Sequence, residues 1–147
     1  MIFTSINGKD CKMRNPTKYL IKWDKKCRSK FQKRVKDFLK PHWSCDVVFE
    51  EFPVLGSRMT IDFYNANRNI AIEADGLQHY KYNKFFHSNS RHKFLEQMKR
   101  DEQKESFCEK NSIRLIRILE TDKLDKELLK KISITWKGYN KSLDKVI

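Results

Sequence analysis

Glycine and proline are scarce in this chain, with four glycines and three prolines among 147 residues. A sequence so poor in these residues has little room for long linkers, and internal repeats and low-complexity tracts are absent. Hydrophobic residues make up 39% of the chain and aromatic residues 12%, which is enough to form a core. We therefore expect residues 1–147 to form one domain.

The chain also lacks the patterns of a zinc site, a disulfide framework or a membrane anchor. Its four cysteines include no C-x-x-C pair and no paired spacing with histidine, so reduced thiols are expected. No run of about 18 apolar residues occurs, and Asn7 interrupts the opening apolar stretch before it reaches signal-peptide length. These absences predict an intracellular protein with no membrane partner, and they leave the oligomeric state open.

Acidic residues are outnumbered overall but concentrated in one window. The formal net charge is +13; residues 1–45 hold 13 Lys and Arg against 3 Asp and Glu, residues 46–75 hold 2 against 6, and residues 76–147 hold 17 against 10. Basic flanks around an acidic window favour a phosphate-binding surface around a metal centre, because Lys and Arg drive nucleic-acid binding by releasing counterions. An anionic membrane is a weaker alternative, since no basic segment has a continuous apolar face.

The acidic window contains two strand-like runs, residues 59–64 and 70–75, joined by the turn-forming stretch 65–69. Strand alternation predicts that Met59, Ile61 and Phe63 share one face, opposite Thr60, Asp62 and Tyr64, and that Ile70, Ile72 and Ala74 oppose Ala71, Glu73 and Asp75. Asp62 then lies roughly opposite Glu73. Three carboxylates on one face repel one another, and a divalent cation such as Mg²⁺ would remove the conflict. The alternative is a solvated face with scattered acids.

The remaining elements predict an α/β fold with a mixed central sheet flanked by helices. Residues 1–27 form a basic hairpin and extension around Asn7-Gly8, and a helix over 29–40 carries a capping box of Ser29 and Gln32 and ends at Pro41. A strand over 47–49 follows, with Glu50 and Glu51 as either an acid of the site or, as we favour, a solvated strand end. A strand over 113–119 is apolar enough for the sheet interior, and Thr121 caps the last helix.

The long helix over 90–110 places Phe94, Met98, Asp101, Glu105 and Cys108 on one face. Asp101 should therefore point toward the sheet, where a carboxylate is costly unless it has a partner. Several basic residues are candidates for phosphate contacts. These candidates are Lys22, Lys25, Lys26, Arg58, Lys81, Lys84, Arg100 and Lys104. For Lys22, Lys25 and Lys26, the alternative is that the aromatic residues beside them form part of the core. For Arg100 and Lys104, the alternative is ion pairs along the helix surface.

An Asp ending one strand, a short hairpin, and then Glu73-x-Asp75-Gly-x-x-His79 ending the next resembles the PD-(D/E)XK nuclease superfamily. Within it, about residues 31–119 are most similar to very-short-patch repair endonucleases and related phage homing endonucleases. The resemblance implies that Asp62 binds metal, that Glu73 and Asp75 occupy the second acidic and the variable motif positions, and that His79 and Asp101 are active-site residues. Gln32 lies near the place of an acid often found on the preceding helix, which leaves the number of metal ions open.

The expected activity is Mg²⁺-dependent hydrolysis of double-stranded DNA, with Mn²⁺ as a substitute ion and with Asp62, Glu73 and Asp75 as ligands. Site-specific cleavage of the phage homing type, in the cytoplasm of the host cell, is the role the resemblance favours. The alternatives are a mismatch or junction nicking nuclease, and a DNA-binding protein that keeps the scaffold without catalysis.

Overall fold

A computed structural model describes residues 1–75 and 91–136, so His79, Lys81 and Lys84 lie outside the described residues. Within the described part, no helix is both long and apolar enough to cross a membrane. The elements follow in the order β1 (Ile2–Thr4), β2 (Asp10–Lys12), a 3₁₀ turn (Pro16–Tyr19), α1 (Lys30–Trp43), β3 (Val48–Pro53), β4 (Thr60–Asn65), β5 (Ile70–Asp75), α2 (Arg91–Lys110), β6 (Arg114–Leu119) and α3 (Lys126–Ser133).

The central sheet is mixed and has the strand order β3-β4-β5-β6. The pairs β3–β4 and β4–β5 are antiparallel, whereas β6 lies parallel to β5, with α2 between them in the chain. The predicted mixed α/β architecture is therefore confirmed. The prediction that residues 113–119 lie in the sheet interior is wrong for the described strands, because β6 forms an edge and only Ile118 of its residues is buried. Arg114 and Arg117 in this strand need polar partners that an interior position would not supply.

Two apolar layers cover the two faces of the sheet. On the face of α1 and α3, the core consists of Phe31, Val35, Leu39, Trp43, Val48, Phe63, Ile70, Ile72, Ile118 and Ile132. On the face of α2, it consists of Phe3, Met13, Phe49, Phe52, Val54, Ile61, Tyr64, Ala71, Phe107, Cys108 and Ile113. The alternating residues of β5 contribute to both layers, as a strand covered on both sides must.

The N-terminal hairpin is part of the fold and not a separate extension. Phe3 and Met13 are buried in the α2-face core, and Gly8, with φ at 82°, belongs to a five-residue loop instead of a tight two-residue turn. Asn111 at the end of α2 accepts from the backbone N–H of Thr4 at 2.7 Å and donates to the Thr4 carbonyl at 2.8 Å. Removing residues 1–27 would therefore remove part of the core.

Two predicted helix ends were wrong. Pro41 does not end α1, which continues to Trp43 because the fully buried indole of Trp43 packs in the core and donates to the Ile132 carbonyl at 3.2 Å. Asp125, not Thr121, caps α3, where its carboxylate accepts from the backbone N–H groups of Glu127 and Leu128. Ser29 caps α1 as predicted.

Glu50 is not at a solvated strand end, contrary to the favoured prediction. It lies within β3, and the ammonium of the fully buried Lys36 donates to its two oxygens at 2.9 and 3.1 Å. The same ammonium donates to the Lys25 carbonyl at 3.0 Å. This buried ion pair fixes the segment before α1 against the sheet.

Candidate active site

Four charged residues lie side by side across the sheet, one on each strand. The register pairs Glu73 on β5 with Arg117 on β6. The pair Phe63 and Ile72 places Asp62 on β4 next to Glu73, and the pairs on either side of Glu51 place this residue of β3 opposite Asp62. Three carboxylates and one guanidinium therefore form a row perpendicular to the strands.

The alternation of side chains breaks within this row. Ile61 packs in the α2-face core and Phe63 in the α1-face core, although they are two residues apart. The prediction that these two side chains share a face is therefore wrong. The irregularity coincides with Glu51 on the neighbouring strand, which adopts a left-handed backbone with φ at 51°. Such a conformation is uncommon for residues other than glycine and is often found at functional sites.

Carboxylates replace backbone partners between β4 and β5 at this level. The backbone pairing of the two strands runs from Asn65–Ile70 to Phe63–Ile72. Beyond it, the Ala74 N–H donates to Asp62 Oδ2 at 2.8 Å, and the Asp62 N–H donates to Glu73 Oε1 at 3.3 Å. The predicted proximity of Asp62 and Glu73 is confirmed, and each carboxylate is held by a backbone amide of the opposite strand.

Both carboxylates are destabilised in their charged form. Glu73 is only 3% exposed, and burial together with the charge of Asp62 raises its pKa to about 8, although Lys104 offsets part of the shift. Burial also raises the pKa of Asp62 to about 6, and the charge of Glu51 adds to the effect against the bond from Ala74. Two neighbouring acids that resist ionisation are typical of a site that binds a cation or moves protons.

Two cations, Lys104 on α2 and Arg117 on β6, contact the acids of this region. Lys104 Nζ lies 3.3 Å from Glu73 Oε2, and Arg117 Nη1 lies 3.2 Å from Asp75 Oδ2 and 3.5 Å from Asp101 Oδ1. Arg117 Nε also contacts Glu105 at 3.3 Å. Although burial opposes the charge of Arg117, Asp101 and Asp75 raise its pKa above the usual range.

Glu51, at the other end of the row, is held in place by hydrogen bonds to its carboxylate. Its Oε1 accepts from Gln32 Nε2 at 3.0 Å and its Oε2 accepts from the Thr60 hydroxyl at 2.7 Å. Arg28 lies 3.6 Å from the same carboxylate. The Gln32 side chain thus reaches across to β3 instead of completing the predicted capping box.

The structure brings most of the predicted site residues together. Asp62 and Glu73 are adjacent, Asp75 is buried on the same face as Glu73, and Asp101 points toward the sheet as predicted from helical phase. The predicted face of α2 is only partly buried, because Met98 and Glu105 are exposed while Phe107 is buried.

The predicted DNA-contacting residues occupy different environments. Lys22, Lys25, Lys26, Arg58 and Arg100 are exposed. Lys104 is not a surface residue beside the site: its side chain is 16% exposed and contacts Glu73.

The donor set fits a metal ion that takes few protein ligands. Within residues 1–75 and 91–136, no three or more His, Cys, Asp and Glu side chains are arranged to hold a metal ion together. Asp62 and Glu73 remain as a pair of adjacent carboxylates. Mg²⁺ is commonly bound through one or two carboxylates, with water and substrate phosphates completing its shell. Asp62 and Glu73 could supply carboxylates of this kind.

Sequence reasoning missed Arg117 and assigned Glu51 to solvent. Arg117 was visible as one of two arginines in a strand whose other residues are apolar, three residues after Arg114 and so on the opposite face. Its partners could not be identified without the parallel register of β5 and β6. Glu51 carried a weaker signal, because an acid two residues before Pro53, near a strand end, is ordinarily solvated.

The chain is similar to three uncharacterized viral proteins. It is 38% identical over 72 residues to protein 033L of Invertebrate iridescent virus 3, a match that covers 49% of this chain and 37% of that protein. It is 35% identical over 80 residues to protein 094L of Frog virus 3 (isolate Goorha), covering 54% and 52%. It is 37% identical over 60 residues to protein 307L of Invertebrate iridescent virus 6, covering 41% and 30%.

These matches span about half or less of each relative's length. No protein-family profile matches the chain. No solved structure matches it either.

Proposed function

We propose that this chain is a Mg²⁺-dependent DNA endonuclease with an active site of the PD-(D/E)XK type. The observation that carries the proposal is the adjacent pair of Asp62 and Glu73, each held by a backbone amide of the other's strand and each with a raised pKa. A fold gains no stability from burying two repelling carboxylates. Their placement at the end of a strand pairing favours a role in binding a cation.

Asp62 and Glu73 would hold Mg²⁺, which when bound supplies an activated water and positive charge against the scissile phosphate. Lys104 donates to Glu73 Oε2, while the Asp62 N–H donates to Oε1, so both oxygens of this carboxylate have a fixed orientation. Asp101 keeps its predicted role in water positioning or proton transfer, with Arg117 holding its carboxylate. The predicted role of His79 concerns a residue outside the described part of the chain.

A basic groove next to the row suits a DNA phosphate backbone. Lys18, Tyr19, Lys22, Lys25, Lys26 and Arg28 line a groove of about 260 Å³ that extends to Glu50 and Glu51. Lys22 lies so close to Lys25 that it lowers the pKa of the Lys25 ammonium. Adjacent ammonium groups repel each other, and an anion bound between them would relieve the repulsion.

Cleavage of supercoiled plasmid DNA tests the proposal. The protein should convert the plasmid to nicked or linear product with Mg²⁺ or Mn²⁺ and leave it intact with EDTA. Asp62→Asn should keep the hydrogen bond from Ala74 and the fold, as checked by circular dichroism, but lose cleavage. Cleavage by this variant at a rate within a few fold of the parent would rule out this metal site. DNA binding without cleavage under any metal condition would instead favour a non-catalytic DNA-binding protein.

Site-specific cleavage of the homing type, and a mismatch or junction nicking activity, are two forms of the same proposed reaction. Mapping the cut positions on one plasmid distinguishes them. A single cut position supports site-specific cleavage, whereas cuts only at introduced mismatches or junctions support a repair-like role.

A further inference from the structure

We infer that Arg117 is a positioning residue that keeps Asp75 out of metal coordination, so that Asp62 and Glu73 are the only carboxylates of the described chain that bind the ion. This inference rests on the proposed function and goes beyond it, because the sequence motif predicts Asp75 as a third ligand. Arg117 would thereby set the number of carboxylates that coordinate the metal ion.

The guanidinium of Arg117 is surrounded by acceptors along both of its edges. Nη1 lies 3.2 Å from Asp75 Oδ2 and 3.5 Å from Asp101 Oδ1, and Nη2 donates to the Asp101 carbonyl at 2.9 Å. Nε contacts Glu105 at 3.3 Å. A planar fork held at several points has little freedom to release one partner alone.

The register explains why this cation lies between the acids. Arg117 is paired with Glu73, and Asp75 is two residues further along the same face of β5. The side chain of Arg117 reaches along the strand to Asp75 instead of across to Glu73, which Lys104 contacts from α2. Each buried acid of β5 therefore has its own cation.

Asp75 is costly to detach from Arg117. Its side chain is 2% exposed and that of Arg117 is 16% exposed. Moving Asp75 to a metal ion would leave the guanidinium with one acid fewer in a poorly hydrated place, and it would bring the ion closer to a fixed positive charge. Glu73 differs from Asp75. Its cationic partner, Lys104, has a flexible side chain, and its other carboxylate oxygen accepts a hydrogen bond from the backbone N–H of Asp62.

Mn²⁺ binding in the absence of DNA, measured by calorimetry, tests this role. Wild type should bind the ion, and Asp62→Asn should weaken binding by about tenfold or more, the range seen when metal-site groups are removed. Arg117→Met should tighten binding by about tenfold, because it removes a nearby positive charge and the guanidinium that holds Asp75. The double variant R117M/D75N removes both partners together, so its affinity should stay within about threefold of wild type, as expected for loss of a neutral pair.

The double variant separates this role from a purely structural one. If R117M/D75N weakens Mn²⁺ binding as much as D62N does, Asp75 is a ligand and the inference is wrong, while the proposed function stands. If wild type binds no Mn²⁺, the proposed function and the inference both fail. A purely structural Arg117 would lower the melting temperature of R117M without changing Mn²⁺ affinity in its folded fraction.

R117M removes the guanidinium that lies between Asp75, Asp101 and Glu105. Because these three acids then lose their shared cation, R117M is the variant most prone to misfold. In that case D75N and D75N/R117K carry the test. Their Mn²⁺ affinity should fall by far less than that of D62N, and an equal loss would overturn the inference.

Discussion

The two faces of the sheet each bury a lysine against a glutamate, but the two arrangements differ in their balance of charge. On the α1 face, Lys36 meets one carboxylate, Glu50, and its ammonium has both carboxylate oxygens and a backbone carbonyl as acceptors. On the α2 face, Lys104 meets Glu73, whose neighbour Asp62 is a further acid beside it. The first arrangement is complete without a ligand.

Among the described residues around this site on the α2 face, carboxylates outnumber cations. Lys104 and Arg117 face the carboxylates of Asp62, Glu73, Asp75, Asp101 and Glu105. The surplus is concentrated at Asp62 and Glu73, the two acids with raised pKa values. A buried ion pair is thus a candidate site when carboxylates outnumber cations around it, not merely when charges are buried.

The largest expected effect contrasts the two glutamates in catalysis. Glu73→Gln should lower the rate of the proposed Mg²⁺-dependent cleavage by about a thousandfold or more, because it would remove one of the two proposed ligands of the metal ion. Glu50→Gln should leave the single-turnover rate of the folded protein unchanged, since Lys36 is its partner. Equal losses of cleavage rate in both variants, compared at the same folded fraction, would contradict this difference between the two glutamates.

The two faces should also differ in how much a lysine contributes to stability. Lys36→Met leaves the partly buried Glu50 without its cation and should lower the free energy of unfolding by about 3 kcal/mol. Lys40→Met is the matched control on the same helix, because its partner Asp24 is 92% exposed, and it should change stability by less than about 0.5 kcal/mol. Urea denaturation measures both, and similar losses would contradict the assignment of Lys36 to a buried pair.

The metal-free protein should become less stable as the pH rises. The folded chain binds the proton of Glu73 more tightly than the unfolded chain does, because the pKa is about 8 instead of the ordinary 4.5. This contribution is therefore complete below about pH 4.5 and is lost as the pH approaches 8, on the order of 5 kcal/mol in total. Asp62 acts in the same direction up to about pH 6.

Urea denaturation in EDTA across this pH range tests the expectation. Glu73→Gln should flatten the pH dependence and be more stable than wild type at pH 8, whereas Glu50→Gln should keep the wild-type slope. A wild-type slope in E73Q would show that Glu73 is not the acid responsible.

The smallest effect concerns the basic groove. Substituting Lys22, Lys25 and Lys26 with glutamine should reduce the slope of log affinity against log salt by up to about 0.9 per lost phosphate contact on duplex DNA. A triple glutamine variant of Lys126, Lys130 and Lys131 on α3 makes the same change in net charge and should leave the slope nearly unaltered. Equal slopes for the two variants would assign binding to net charge alone.

Local patterns predicted the hairpin of β4 and β5 and the approach of Asp62 to Glu73, because both depend on one short turn between neighbouring segments; this turn has four residues, 66–69, since Asn65 pairs with Ile70. The helical phase likewise placed Asp101 toward the sheet. The failures involve contacts distant in sequence. Arg117 meets Asp75 only through the parallel pairing of β6, and Trp43 extends α1 past Pro41 only through its bond to Ile132.

The break in alternation at Glu51 and Asp62 could not be read from sequence either. A strand pattern assumes regular backbone, and the left-handed conformation of Glu51 is stabilised by Gln32 and Thr60 from other segments. One local irregularity moved Phe63 to the opposite core from Ile61.

The amides of Asp62 and Ala74 donate to side-chain carboxylates instead of backbone carbonyls. Their protons should therefore exchange with solvent deuterium at rates set by how often the Glu73 and Asp62 carboxylates accept these hydrogen bonds. The exchange rates of the Phe63 and Ile72 amides on the same strands should instead follow opening of the sheet. A ligand that draws either carboxylate away would expose these two protons first. Two backbone amides thus report directly on the state of the acids, with no label placed in the site.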